Sequence, residues 1–377
     1  MYNSIESFWQ DDYFFPTYDV VIVGAGFTGL VAGIELLLRK PTWKIGIFES
    51  QTHGTLASSR NAGFMCFGSP TELISDIAKY GEEAVTKLLR QKLIGQHTLL
   101  KHLAGNKGIY KKSLGYELFD TEGRLVELHQ VREQLPTLNN ILASGTSIAD
   151  YFSLVSKYAA NERFAAVRFK SEGQLHPTAA VAALSKKFLN LGGKLHLGTP
   201  VTHWAKQDNG FELRCKVKEK ILSKQLILSN NAFVSELVPN FQVQPQRAQV
   251  IVTSPLKSLQ YRGNFHMDKG YVYFRNVGNR LLLGGLRNTD FAHEETSQLG
   301  LNLTIQTNLD ALLKKLIPNE NIEITHRWSG IMGFRAEQVP KLHLHESGIV
   351  IAAGMNGMGT LLGPALGREA ALAVLDL

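Results

Sequence analysis

Residues 18–50 read YDVVIVGAGFTGLVAGIELLLRKPTWKIGIFES, and this stretch decides the fold. The β-branched run 20–23 predicts a strand that is buried on both faces. A glycine-rich turn follows, apolar residues then recur at helical spacing over 30–38, and the run 44–48 predicts a second strand. The order strand, turn, helix, strand is that of a β-α-β unit.

The turn carries three glycines in the spacing G-x-G-x-x-G. Gly24 permits the tight turn, Gly26 lets the backbone approach a pyrophosphate, and Gly29 brings the helix close to the sheet. Free N–H groups at the helix N-terminus then bind the phosphate. Glu49 ends the second strand, where an acceptor for a ribose hydroxyl belongs. The stretch therefore predicts a dinucleotide site, whereas a merely structural glycine turn would leave Glu49 without a role.

Composition and charge narrow the class of protein. The chain has 377 residues, 44% of them hydrophobic and 19% charged, which is typical of a folded protein with two domains. The net charge of +7 is not concentrated in a block of Lys or Arg, so it suits an anionic cofactor or substrate and argues against a nucleic-acid partner.

The two cysteines, the first residues of the sequence and one apolar run predict where the protein is located and whether it binds a metal. Cys66 and Cys215 lie too far apart in sequence to form a disulfide framework or a metal motif, which predicts a buried thiol at Cys66, no metal site and a reducing, cytoplasmic location. The acidic, aromatic residues 1–15 do not resemble a signal peptide. We also expect no transmembrane segment, because Glu35 and the three glycines of the turn, among others, interrupt the apolar run 20–38.

The remaining chain predicts an α/β fold, α+β overall, in which a second domain interrupts a Rossmann-like one. A polar loop is expected over 50–70, short strands over 110–128 around Asp120-Thr-Glu-Gly, and no clear structure over 131–164. A helix from Thr178, its predicted N-cap, then restores the β-α-β pattern. The predicted boundaries are 1–90, 165–240 and 328–377 for the discontinuous nucleotide-binding domain, and 91–164 and 241–327 for an antiparallel-sheet substrate domain.

Four pieces of the sequence resemble, in their order, the family of D-amino-acid oxidase, glycine oxidase and sarcosine oxidase. They are VGAGFTGL at 23–30 with its following acid, ASSRNAG at 57–63, the succession GQLHP, GGKLHLGTPV and LILSNNA within 173–232, and WSG with AAGMNGMGT within 328–360. The RNAG loop and the spacing WSGIMG are closest to the branch that contains γ-glutamylputrescine oxidoreductase.

The resemblance implies a flavoenzyme that binds FAD non-covalently, since no cysteine lies near the segment through which some relatives attach the flavin. It implies that the backbone of Val201 meets the adenine, that residues 59–62 pass the isoalloxazine near N5, and that the last glycine-rich turn opens a helix toward the flavin pyrimidine. The implied cofactor-binding residues are Gly24, Gly26, Phe27, Thr28, Gly29, Glu49, Ser50, Ser58, Ser59, Arg60, Asn61, Ala62, Val201, Asn230, Gly354, Asn356, Gly357, Met358, Gly359 and Thr360.

The resemblance also implies the reaction. A hydride would pass from a C–H bond next to a neutral amine to flavin N5, the imine would hydrolyse in water, and oxygen or a quinone would accept the electrons. Two alternatives remain open: a 2-hydroxy-acid dehydrogenase of the same fold, and a non-catalytic FAD-bound accessory protein.

Tyr271, Arg275 and Arg335 are the predicted substrate residues. Glycine oxidases carry an arginine four residues after the tryptophan of the W-x-G segment, and this chain has Met332 at that position. Arg335 is expected to reach the same place and clamp a substrate carboxylate, the alternative being that it lies on the surface.

Overall fold

The structure is a computed structural model that describes residues 7–52, 57–120, 123, 125–155, 164–318, 322–337 and 339–376. Its helices are α1 (Phe8–Phe14), α2 (Phe27–Arg39), α3 (Ala57–Arg60), α4 (Pro70–Tyr80), α5 (Glu82–Leu103), α6 (Leu125–Thr146), α7 (Pro177–Asn190), α8 (Phe291–Glu294), α9 (Leu303–Leu316) and α10 (Gly359–Asp376). Its strands are β1 (Tyr18–Val23), β2 (Ile45–Phe48), β3 (Phe64–Met65), β4 (Tyr110–Asp120), β5 (Phe152–Val155), β6 (Phe164–Leu175), β7 (Lys194–His196), β8 (Val201–Gln207), β9 (Gly210–Cys215), β10 (Lys218–Leu228), β11 (Gln244–Thr253), β12 (Asn264–Met267), β13 (Val272–Val277), β14 (Arg280–Gly285), β15 (Ile324–Phe334), β16 (His343–Leu344) and β17 (Val350–Ile351).

The first sheet, sheet A, has a parallel centre. Its strand order is β16-β17-β10-β1-β2-β7, and β8 and β9 continue β10 as an antiparallel meander. β1 lies between β10 and β2 and pairs in parallel with both. Helix α2 covers one face, and most of its side chains are buried. The predicted β-α-β unit is therefore present, with its strands at the centre of the sheet where continuous apolar runs belong.

The second sheet, sheet B, is mostly antiparallel. Its strand order is β15-β11-β14-β13-β12-β4-β6-β3, with β5 paired to β6. Among the described strand pairs of sheet B, only the pair of β12 and β4 is parallel. Helix α9 buries Ile305, Leu309 and Leu313 against this sheet. The predicted combination of a Rossmann-like sheet with an antiparallel sheet is thereby confirmed.

The sequence-based domain boundaries stay a prediction, but three strands do not belong to the sheet expected from them. β3, β6 and β15 fall wholly or partly within the segments predicted for the nucleotide-binding domain, and all three pair within sheet B. β6 pairs with β4 along its length, from Tyr110 opposite Leu175 to Asp120 opposite Phe164. The sequence next to β6 resembles a β-α-β unit because α7 follows directly. The sheet to which β6 belongs is nevertheless decided by its pairing with β4, which is distant in the sequence.

Several local predictions were wrong. Residues 110–120 form the single strand β4, and residues 125–128, predicted as strand, begin helix α6. Thr121 and Glu122 of the predicted turn lie outside the described residues. The predicted loop over 50–70 contains the short helix α3 and strand β3.

The start of helix α7 also differs from its prediction. The N-cap is His176, whose Nδ1 accepts a hydrogen bond from the N–H of Ala179 at 3.3 Å, and Pro177 occupies the first turn. Thr178 instead donates its hydroxyl to the carbonyl of Ser59. None of the helices in the described residues combines the length and apolar character needed to cross a bilayer.

Candidate cofactor and substrate site

The carboxyl ends of the parallel strands of sheet A meet at one edge. Val23 is level with Phe48 on one side and with Leu228 on the other, and Leu228 is level with Ile351. At this edge each strand ends and is followed by a polar or glycine-rich segment. Parallel α/β sheets bind ligands at this edge, where the strands end and the connecting loops diverge.

A cavity of about 490 Å³ lies along this edge and continues toward sheet B. Most of the predicted cofactor residues line it: Gly24, Gly26, Phe27, Thr28, Glu49, Ser50, Ser58, Asn61, Val201, Asn230, Gly357, Gly359 and Thr360. The structure thus brings together, in one cavity, residues that are separated by more than 300 positions in the sequence.

Seven predicted cofactor residues do not line the cavity, and the contacts of most of them show a supporting role. Ala62 packs against Val250 and Leu282 of sheet B. The side chain of Asn356 accepts the N–H of Arg335 at 2.8 Å and donates to the carbonyl of Glu337 at 2.7 Å, so it holds the last glycine-rich turn together. The others are Gly29, Ser59, Arg60, Gly354 and Met358.

The ASSRNAG loop links the two sheets. Arg60 donates its Nε hydrogen to the carbonyl of Ser329 on β15 at 2.6 Å. Trp328 returns a bond from its ring N–H to the carbonyl of Arg60 at 2.8 Å. Asn61 closes the loop, because its Oδ1 accepts the N–H of Gly63 at 2.8 Å. The two bonds between Arg60 and β15 fix the ASSRNAG loop, which is the loop expected to pass the flavin, against sheet B.

Glu49 is 6% exposed and its carboxylate organises the first turn. One oxygen accepts the N–H of Ala25 at 2.8 Å, inside the glycine-rich turn. The other accepts the N–H of Gln51 at 2.9 Å and the hydroxyl of Ser50 at 3.1 Å. An ionised carboxylate has about four acceptor sites, so it keeps capacity for a further donor in the cavity.

Arg335 does not occupy the position expected for a carboxylate clamp. It is absent from the cavity lining, and its guanidinium forms two 3.0 Å hydrogen bonds to the carboxylate of Glu337. The guanidinium also stacks 4.0 Å from the centre of the Phe241 ring. A partner two residues away and an adjacent aromatic ring satisfy this cation locally, which argues against the expected clamp.

The other two predicted substrate residues belong to the β13 region: Tyr271 comes directly before the strand and Arg275 lies within it. Arg275 is 7% exposed and donates to the carbonyl of Leu175 at 2.9 Å, and its burial lowers its pKa to about 10. It supports the sheet and does not line the cavity. Tyr271 precedes β13 and packs edge-on against Phe291. The predictions therefore differ in outcome: Arg275 has a structural environment, whereas Tyr271 belongs to the aromatic group described below.

Sequence reasoning missed several lining residues. Ser229 and Asn231 follow a strand that the sequence did predict, so the carboxyl-edge rule was a usable signal for them. Ser297 and Leu299 come from an irregular segment after α8 and carry no recognisable pattern. Ile331 and Met355 were also missed, whereas Met332, which lines the cavity beside them, had been named as the position where glycine oxidases carry an arginine.

One group of side chains in the described residues has the composition of a metal site, although the sequence predicted none. The Cys66 sulfur, a Glu172 carboxylate oxygen and a His266 ring nitrogen lie within 4.8 Å of one another. His266 bonds Glu172 at 3.1 Å, and Asn264 donates to the same carboxylate at 2.9 Å. Cys66 is half-buried by its accessible surface, so the prediction of a buried thiol holds only in part, and desolvation raises the pKa of the thiol.

The cavity fits a bound dinucleotide on two observations. A Cβ added to Gly24 would lie 2.9 Å from the backbone of Ser229, and Gly24 has a φ of +104°, so the turn accepts only glycine and keeps the backbone open to a ligand. Asn230 lines the cavity, and its buried Oδ1 has no partner among the described residues. An unpartnered buried acceptor fits a donor group of the ligand.

The parallel sheet, the glycine-rich turn and the cavity at its edge define a dinucleotide-binding protein. The chain belongs to the FAD dependent oxidoreductase family, whose model matches residues 19–373. FAD is therefore its cofactor, and the predicted family, fold class and enzyme class are confirmed.

Individual proteins are similar over nearly the whole chain. The glycine oxidase of Geobacillus kaustophilus is 25% identical, covering 96% of this chain and 92% of its own. The solved structure of glycine oxidase from the same species has a TM-score of 0.75 at 22% identity, covering 96% and 95%. The γ-glutamylputrescine oxidoreductase of Escherichia coli is 22% identical, covering 93% and 82%. The structure of L-proline dehydrogenase from P. horikoshii also has a TM-score of 0.75, at 18% identity, covering 96% and 94%.

Proposed function

We propose that this protein oxidises a C–H bond next to the neutral nitrogen of an amine or amino acid. The observation that carries the proposal is the course of the cavity, which runs from the dinucleotide turn to the β15 wall formed by Ile331 and Met332. That course leaves room for a small substrate between sheet B and the flavin. The names of the relatives add support, since each describes an enzyme that acts on an amine or amino acid.

When bound, FAD supplies the redox chemistry by accepting a hydride at N5, and the imine product then hydrolyses in water. The protein's part is orientation. Glu49 and the first turn hold one end of the cofactor, and the Arg60–Trp328 bonds hold the flavin-proximal loop. The N-terminus of α10, at Gly359, offers free N–H groups and the positive end of the helix dipole to the other end. Apolar side chains at Ile331, Met332 and Met355 exclude water from the reacting bond.

The reaction is tested by anaerobic reduction. We expect at least one compound from a panel of amines and amino acids to bleach the yellow oxidised flavin, and 2-hydroxy acids of the same carbon skeletons to leave it oxidised. Hydrolysis of the imine should release ammonia, or an amine when the substrate is a secondary amine, in proportion to the flavin reduced. Bleaching by 2-hydroxy acids alone would replace this proposal with an alcohol-oxidising activity, and a flavin that no compound bleaches would indicate a non-catalytic role. Re-oxidation of the reduced protein by air, compared with a soluble quinone, then identifies the electron acceptor.

Non-covalent attachment of the flavin is part of the same proposal. Cys66 is the cysteine nearest in sequence to the flavin-proximal loop, and the raised pKa of its half-buried thiol makes it poorly suited to form a bond to flavin. We therefore expect that after denaturation in guanidinium chloride all the flavin passes through an ultrafiltration membrane that retains the protein. Yellow colour that stays with the unfolded chain would contradict non-covalent binding.

A further inference from the structure

Arg287 is a cation that lies beside the cavity without an acidic partner. It follows strand β14, after Leu286, which adopts a left-handed conformation with a φ of +61°. Its guanidinium lies 4.5 Å from the ring centre of Phe334, 5.2 Å from Phe291 and 5.4 Å from Tyr271. Among the described residues no carboxylate lies within 4 Å of it, although Glu295 is near enough to favour its charge.

Arg287 is not itself a lining residue of the cavity, but two contacts bring its guanidinium close to residues that are. Arg287 donates from Nη1 to the side-chain oxygen of Gln246, and Gln246 is directly opposite Met332 across the β11–β15 pair. Directly opposed residues project from the same face of a sheet, and Met332 lines the cavity. The ring of Phe334, on which Arg287 stacks, lies 3.7 Å from the point where a Cβ on Gly357 would stand, and Gly357 also lines the cavity.

We propose that Arg287 binds the carboxylate of the substrate, which makes the substrate an amino acid and not a simple amine. This inference rests on the proposed function. Met332 occupies the position at which glycine oxidases carry their arginine. In this chain the cation comes instead from Arg287 in the turn after β14, which is bonded to Gln246 opposite Met332.

The chemistry of the site favours a carboxylate over other partners. Three aromatic rings hold the guanidinium by cation–π contact, and Gln246 is the acceptor to which it donates among the described residues. The planar fork of arginine binds a carboxylate through two parallel hydrogen bonds. Burial of an unpaired carboxylate costs several kcal/mol, so a carboxylate substrate requires such a cation. Arg335 is less suited to this role because the carboxylate of Glu337 already pairs with its guanidinium, and Arg275 donates to the carbonyl of Leu175 within sheet B.

The test measures binding of a carboxylate that cannot be oxidised. Anthranilate has no C–H bond next to its nitrogen, and aniline is the same molecule without the carboxylate. The holoprotein is titrated with each compound, and with acetate as a smaller carboxylate, by calorimetry and by the change in the visible flavin spectrum. A charge-assisted hydrogen bond contributes roughly 1.5–3 kcal/mol, so Arg287→Gln should weaken carboxylate binding by about 10- to 100-fold. Arg287→Lys should recover part of the loss, because the charge remains and the fork does not.

Matched variants separate this site from the other arginines. Arg335→Gln and the surface change Arg262→Gln remove the same charge outside the cavity, and both should bind anthranilate as the wild type does. Binding of aniline should be unaffected by all of these changes. Failure of the wild type to bind either carboxylate, or unchanged binding in Arg287→Gln, overturns the proposal.

The outcome also distinguishes this proposal from the proposed function. Arg287-dependent binding of anthranilate in a protein that no amine reduces would leave the carboxylate site standing and remove the amine reaction. Reduction by amines without a carboxylate, at rates that Arg287→Gln does not change, would leave the amine reaction standing and remove the carboxylate site.

Discussion

Replacing Gly29 by alanine is expected to abolish production of folded, flavin-containing protein. A Cβ at this position would stand 1.9 Å from the carbonyl oxygen of Gly24 and 2.7 Å from Oγ of Ser229. The carbonyl cannot retreat, because Gly24 is held by its own N–H bond to Phe48 at 2.8 Å and by the Ser229 hydroxyl at 3.1 Å. The added methyl group must therefore separate helix α2 from the ends of β1 and β10.

Overpacking of a core usually costs about 1–3 kcal/mol. Here the obstacle is backbone, so we expect a cost of about 4 kcal/mol or more, in the range that unfolds marginally stable proteins. The measurement is the yield of soluble yellow protein and its thermal midpoint. Gly123→Ala is the control, because a Cβ there meets nothing within 4 Å. A Gly29→Ala protein that keeps its flavin and melts like the wild type would show that the close approach of helix and turn is not required.

Glu49→Gln is expected to weaken FAD binding by about 10- to 100-fold. The expectation rests on a charge-assisted bond to a ribose hydroxyl worth roughly 1.5–3 kcal/mol. Glutamine keeps one acceptor oxygen, but its amide places a donor beside a backbone N–H, that of Ala25 or of Gln51. Glu49→Ala should lose at least as much, because it removes both oxygens.

The loss is measured as the dissociation constant of FAD for the apoprotein, by fluorescence quenching of the flavin. Because Glu49 also holds the turn, the thermal midpoint of each apoprotein separates a loosened turn from a lost ligand contact. Asp19→Asn serves as the control: its carboxylate lies at the opposite end of β1 and bonds Lys44 and Lys224. If Glu49→Gln binds FAD with wild-type affinity, the assignment of Glu49 to the ribose is wrong.

The local parts of the cofactor site were predictable because their signals are local. The G-x-G-x-x-G spacing fixes the geometry of one turn, and the acid at Glu49 follows a strand whose end is visible in the sequence. Both line the cavity as expected. Val201 and the residues of the last glycine-rich turn were reached by resemblance, and several of these also line it.

The errors have physical causes that the sequence does not display. Pro136 lies inside helix α6 and interrupts the pattern by which a 22-residue helix is recognised. The sheet to which β6 belongs depends on its pairing with β4, more than 40 positions earlier. Arg335 was expected in the cavity because of its distance from Trp328, yet Glu337 and Phe241 bind it elsewhere. Arg287 escaped notice because the left-handed Leu286 sets its direction.

The common edge of the parallel strands has a consequence for folding. β17 and α10, which complete the same cavity, follow β1 and β2 by more than 300 positions in the sequence. Helix α10 also closes on α2, where a Cβ on Gly367 would stand 2.3 Å from the carbonyl of Thr28. Contacts between such distant parts of a chain form only after a large loop has closed. The pocket for the prosthetic group is therefore incomplete until the elements near β1 and those near α10 have come together, so we expect retention of the flavin to depend on helix α10.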